Sequence, residues 1–257
     1  MNNRFLYQSI VLFFLLIALL GCSEIRKQEE PIDELISHIK QKHGSGLITQ
    51  RNISFTFRGR DYEQRIEEGR SVKFRKFIEN EDTIVDKWIR TESFFERHIN
   101  GELVTVSDSA KQEHKSAINS VFHFTFLPLF LTTNAVNAEI IDTVSIGTDP
   151  YCKIKFTFNK DVELDIPSTE NVYIYWINLN NKTLDYLAYE YFTNEGGLRF
   201  RKAYNRRAIG GITFQDYMNY RPRDTTVTLM TIDEAYNRRE IEEISKIVNS
   251  NIRVTRP

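Results

Sequence analysis

Cysteine is scarce in this chain. Two occur in 257 residues, Cys22 and Cys152, which rules out a disulfide scaffold. The CxxC and HExxH spacings of zinc sites are missing, as are a glycine-rich phosphate loop and a G-x-S-x-G nucleophile elbow. The five histidines, His38, His43, His98, His114 and His123, show no metal-ligand spacing. Carboxylates are plentiful, but runs such as Glu67-Glu68 and Glu79-Asn80-Glu81-Asp82 fall at turn signals and read as solvated. The sequence therefore predicts no enzyme, no metal and no cofactor. Neither sign of charge dominates, with 34 Lys and Arg against 35 Asp and Glu. A nucleic-acid binder shows a basic face, so no such partner is expected. Nor is any apolar run long enough to span a bilayer. The run at 10–20 has eleven residues, where a spanning helix needs about twenty.

That short run has a different meaning. Arg4 precedes it, and Leu19-Leu20-Gly21-Cys22 closes it. A charged start, a short apolar stretch and a small residue at the cut form a removable secretion signal. Ending on cysteine, the signal is of the bacterial lipoprotein kind, and Cys22 is the expected acylation site. Two or three acyl chains anchor a protein stably, at about 0.8 kcal/mol per buried CH₂. The chain then divides into a signal at 1–21, a charged tether at 22–31 and one domain at 32–257. Its membrane partner is reached through the N-terminal lipid. Under the enterobacterial sorting rule, aspartate after the cysteine retains a lipoprotein at the inner membrane. Ser23 stands there instead, which points to the outer membrane of the cell envelope. Cys152, the other cysteine, sits in an alternating strand pattern and reads as a small buried apolar residue.

The domain opens with a helix at 32–42, where Ile32, Leu35, Ile36 and Ile39 make one stripe and Gly44 and Gly46 end it. His43 closes this helix. The helix dipole favours a cation there, and a polar group at the mouth of a pocket is the functional alternative. From 52 to 106 the period becomes two, which predicts five or six antiparallel strands with turns such as Asn100-Gly101. Residues 108–122 predict a helix capped by Asp108 or Ser109. The apolar stretch FHFTFLPLFLTT follows, broken by Pro128. Strands resume at 138 and run to 231, and a polar helix is predicted at 232–248.

Aromatic residues are abundant. Phe94, Phe95, Phe122, Phe124, Phe126 and Phe130 crowd the middle of the chain. In the strand at 172–178, Val172, Ile174 and Trp176 alternate with Tyr173, Tyr175 and Ile177. A strand apolar on both faces lies between two layers, which are either a filled core or a core and a cavity.

Several motifs taken together carry a resemblance. They are the cysteine-ended signal, Lys42-His43-Gly44, the successive hairpins, Leu127-Pro128-Leu129, the Trp176–Leu184 turn and Ile209-Gly210-Gly211-Ile212. Over about 32–221 the chain resembles a family of lipoproteins common in Bacteroidetes, which is itself similar to the lipoprotein-localisation superfamily of LolA, LolB and LppX type. The resemblance implies an α+β fold in which one strongly curved antiparallel sheet, an open half-barrel, holds helices on its concave face. It also implies a cavity for acyl chains. Phe122, Phe126, Leu127, Leu129 and Phe130 would cover that cavity, and Trp88, Phe95 and Trp176 would line it. A cavity arginine is implied as well, with Arg58, Arg75 and Arg90 as alternatives. The expected function is a lipid-anchored envelope protein that binds a hydrophobic ligand. The alternative is a structural or interaction module with a filled core, its protein partners unspecified.

Overall fold

A computed structural model describes residues 31–132, 136–158, 172–192 and 196–257. The signal, Cys22 and nearly all of the tether lie outside them. Helix α1 (Ile32–His43) buries Leu35, Ile36 and Ile39, the stripe expected from spacing. It ends on Gly44 at φ 66°. A Cβ there would lie 2.0 Å from the Gly211 carbonyl oxygen, so only glycine suits both the left-handed backbone and the close approach. Two of the motifs behind the family resemblance thus meet in space.

Six hairpin-linked strands follow, β1 (Asn52–Phe57), β2 (Arg60–Glu67), β3 (Arg70–Glu79), β4 (Asp82–Ile89), β5 (Phe94–Ile99) and β6 (Glu102–Val104). Helix α2 (Asp108–Thr125) is capped not by Asp108 or Ser109 but by Ser107, whose hydroxyl accepts from the Ala110 amide at 3.3 Å. Pro128 stops helical continuation, and a short 3₁₀ turn, Leu129–Thr132, takes over. Seven strands complete most of the chain: β7 (Val136–Ile146), β8 (Asp149–Phe158), β9 (Tyr173–Asn178), β10 (Thr183–Tyr191), β11 (Gly197–Ile209), β12 (Ile212–Pro222) and β13 (Ile241–Ile247). Helix α3 (Ile232–Asn237) precedes β13, and β14 (Asn249–Thr255) closes the chain.

The fold is α+β with two antiparallel sheets of seven strands among the described residues, ordered β14-β1-β2-β3-β4-β5-β6 and β13-β12-β11-β10-β9-β8-β7. The expectation of a single curved sheet is corrected here. The C-terminal segment makes the difference. It is helical only at 232–237, and then one extended run supplies an edge to each sheet, switching at Val248. Ile241 and Ile247 are buried but Ile244 is 38% exposed. The spacing of Ile241, Ile244 and Val248 imitates a helical stripe, and pairing with β12 overrides it. The expected strand at 226–231 is turn and coil for the same reason: its residues lead into α3 rather than a sheet edge.

A polar network sews the seam. Asp216 is fully buried and accepts from Asn205 Nδ2 at 2.7 Å, Arg207 Nη2 at 3.0 Å and the Asn249 amide at 3.1 Å. Arg207 also donates to the Asn249 carbonyl. A buried carboxylate satisfied on both oxygens fixes where the last strand changes sheet.

The apolar interior forms three clusters. In the first, α2 packs Ile118, Phe122 and Phe126 on Phe55, Tyr62 and Trp88 of the first sheet. In the second, α1 and Leu127 and Leu131 cover Tyr173, Tyr175, Ile177 and Leu187 of the second sheet, with buried Cys152 among them. In the third, Ile232 and Ala235 of α3 cover Ile174 and Trp176 on the opposite face of that sheet. Every residue of β9 is buried, as its two-faced sequence required.

Candidate functional site

The aromatic candidates separate by face. Phe122, Phe126 and Trp88 meet in one cluster, with the Phe122 and Phe126 rings 5.4 Å apart. Phe95 and Leu129 pack on its margin, and Phe95 stacks on His114. Leu127 follows Phe126 in the chain but enters the cluster under α1. Phe130 has its backbone in the 3₁₀ turn, and its side chain lies outside the described residues. Trp176 does not join the others. It faces α3, with its ring 5.4 Å from Phe200 and the Lys153 ammonium 5.5 Å above it. Strand alternation sends Trp176 away from the covering segment that Tyr173 and Tyr175 face.

His43 is 1% exposed. Its Nε2 accepts from the Leu184 amide at 3.5 Å, and its Nδ1 has no partner among the described residues. Burial, and then the charge of Arg206, push its pKa down from 6.5 to about 4, with Asp185 opposing them. The imidazole is neutral at pH 7, so desolvation outweighs the helix dipole that would favour a cation.

The three arginine alternatives have different surroundings. Arg58 is exposed at a turn, over the Phe57 ring. The Arg90 side chain lies outside the described residues. Arg75 is buried on the inner face of the first sheet and holds Asp86 through Nε at 2.9 Å and Nη2 at 2.5 Å. Arg97 grips the same carboxylate at 2.7 and 3.0 Å. Burial tends to raise the Asp86 pKa, but the hydrogen bonds and charges of Arg97 and Arg75 together hold it below its ordinary 3.8.

Sequence reasoning missed Arg201. In β11 it alternates with Leu198 and Phe200, and alternation alone reads its face as wet. The structure leaves it 8% exposed. Its guanidinium carbon lies 3.9 Å from the Phe124 ring centre and 5.1 Å from that of Tyr189. Nη2 donates to the Tyr189 hydroxyl at 2.7 Å, whereas Nε and Nη1 have no partner among the described residues. Register places Tyr175, Leu187, Arg201 and Asn219 directly opposite one another on β9, β10, β11 and β12. Along this one row the Tyr175 hydroxyl and the Asn219 Oδ1 are also buried and without a partner among the described residues. Burial raises the Tyr175 phenol well above its ordinary range while Arg201 opposes that shift, so the phenol keeps its proton. What β9–β12 present beneath Phe124 is thus an apolar, tyrosine-rich wall with unused donors on Arg201 and Tyr175 and an unused acceptor on Asn219. Nothing in a single strand signals this, because the row exists only across four strands.

Among the described residues, no group of three or more His, Cys, Asp and Glu side chains gathers as a metal site, and no helix is long and apolar enough to cross a membrane.

The chain is similar to several solved structures. A LolA superfamily protein from Nitrosomonas europaea shares 11% identity over 86% of this chain and 93% of that one, at a TM-score of 0.42. A DUF1329 family protein from Desulfovibrio piger shares 10% identity over 87% and 93%, at 0.38. The lipoprotein LppX from Mycobacterium tuberculosis shares 12% identity over 62% and 88%, at 0.29. Likeness at this level says nothing of what the chain binds. No curated protein matches the sequence. Residues 10–249 match DUF6503, a family of unknown function, and the chain belongs to that family.

Proposed function

We propose that this protein is anchored to the outer membrane of the bacterial envelope by lipid on Cys22 and buries a hydrophobic ligand against the second sheet. One observation supports this reading most. The aromatic inner face of β9 and β10 is covered by α1 and by Leu127 and Leu131, with Phe57 the residue of the first sheet packed against that cluster. Two short covering elements can move aside more cheaply than a hydrogen-bonded sheet, because few backbone bonds break when they do. A ligand entering there would be held by burial of apolar area, at about 25 cal/mol per Å² before ordering costs. The role is that of a carrier or receptor for acyl chains, not of a catalyst.

A second reading rests on the packing. Phe122, Tyr173, Tyr175 and Trp176 are each 0% exposed, as in a filled core, and the protein would then be an interaction module of the envelope. Native mass spectrometry separates the two. Residues 23–257, purified without detergent, should carry a co-purifying lipid mass. A clean apo mass that does not change after incubation with lipid extract would favour the filled core.

A further inference from the structure

We propose that Arg201 and Tyr175 bind the oxyanion head of a single-chain anionic amphiphile, a carboxylate or phosphate monoester, whose chain lies against the apolar face of β9 and β10. The inference rests on the ligand-binding reading above and names the ligand's chemistry.

Buried polar groups in folded proteins are nearly always satisfied, and a buried charge nearly always has a counter-charge. Two other buried cations keep that rule. Arg75 is paired with Asp86, and Lys153 with Asp233 at 2.8 Å. Arg201 departs from it. Among the described residues no carboxylate pairs with its guanidinium, and the donors on Nε and Nη1 are left over. Its present contacts, one phenol and two ring faces, hold the group in place without neutralising it. Guanidinium donors match carboxylate and phosphate oxygens in geometry and charge. The Tyr175 hydroxyl, two strands away in the same row, adds a neutral donor. Phe124, which is only half-buried and belongs to the covering side, occupies the ring-stacking face of the guanidinium and would withdraw to admit the head. Apolar side chains extend from the row on either side: Phe156, Leu184 and Ile177 share the cluster that contains Tyr175 and Leu187. A charged head beside a long apolar wall selects an amphiphile over a free anion or a neutral oil.

The test is isothermal titration of residues 23–257, which contain all three apolar clusters, with palmitate, hexadecyl phosphate and hexadecanol. At least one anionic ligand should bind about ten- to a hundredfold more tightly than hexadecanol, and the ratio between the two anions identifies the head. Arg201→Met should bind hexadecanol as the wild type does and lose the preference. Arg201→Lys should retain part of it, since it keeps the charge without the planar fork. If the wild type binds all three equally, the Arg201 assignment falls and the hydrophobic-ligand reading stands. If it binds none, both fall. Should Arg201→Met fail to fold, the wild-type ratio and a smaller preference in Tyr175→Phe still decide.

Discussion

Arg75 on the inner face of the first sheet is 3% exposed and Arg201 on the inner face of the second is 8% exposed, yet only Arg75 meets a counter-ion among the described residues. Register explains the difference. Across the first sheet, Arg75, Asp86 and Arg97 stand directly opposite one another, so the carboxylate is supplied at the position where two cations need it. Across the second sheet, the residues opposite Arg201 are Leu187 and Asn219, and neither carries charge. At this row the first sheet neutralises its buried charge internally, whereas the second leaves donors of Arg201 unused beneath a short covering segment. A buried ion that satisfies itself is a structural device, and one that does not is a place where something else can bind.

The largest test of this contrast is Asp86→Ala. It strands Arg75 and Arg97 without a partner and should cost about 3–5 kcal/mol of unfolding free energy, read from urea denaturation of residues 23–257. A loss under about 1 kcal/mol would mean that the triad is no more than a surface-type ion pair.

Acid separates the two regions next. The folded state lowers the His43 pKa from 6.5 to about 4. The unfolded chain therefore binds the proton more readily between those values, and stability falls as pH drops through that window. Roughly 3 kcal/mol should disappear between pH 7 and pH 4. Asp86, also shifted downward, contributes stability that is present above its ordinary value and is lost only below it. Stability–pH curves of the wild type and His43→Gln should diverge through the His43 window and run in parallel at lower pH. Superimposed curves would show that His43 is not held neutral.

Arg201→Met should leave the unliganded protein as stable as wild type or stabilise it by about 1 kcal/mol, since it removes an unpaired buried charge and keeps the bulk. A clear fall in Tm would show that Arg201 is structural, and the contrast with Arg75 would close. The smallest effect is expected from Ser107→Ala. Loss of the hydroxyl that caps α2 should cost about 0.5–1 kcal/mol, weakening the cover of the first sheet. Palmitate binding should not change, because the proposed head site lies on the other sheet.

Much of this architecture is legible along the chain. The stripe of Leu35, Ile36 and Ile39 gives α1 because spacing of three and four puts those side chains on one face. Alternation marks β1–β5 and the double-faced β9, and Pro128 marks the end of α2 because it cannot donate within a helix. Asn100-Gly101 marks a hairpin because both residues adopt positive φ, 52° and 89°. The extended run at 241–255 was not legible. Ile241, Ile244 and Val248 have the spacing of a helical stripe, and only pairing with β12 and then β1 makes that run extended.

The sequence by itself determined the order of most helices and strands and the two-faced burial of β9, because each depends on residues close together in the chain. Tertiary structure alone decided that the described strands form two sheets joined at Val248, that Trp176 turns away from the other aromatic candidates, and that Arg201 meets no counter-ion among the described residues. Those outcomes depend on which strands become neighbours and in what register. Backbone hydrogen bonding between segments tens of residues apart sets both, and no local pattern encodes them.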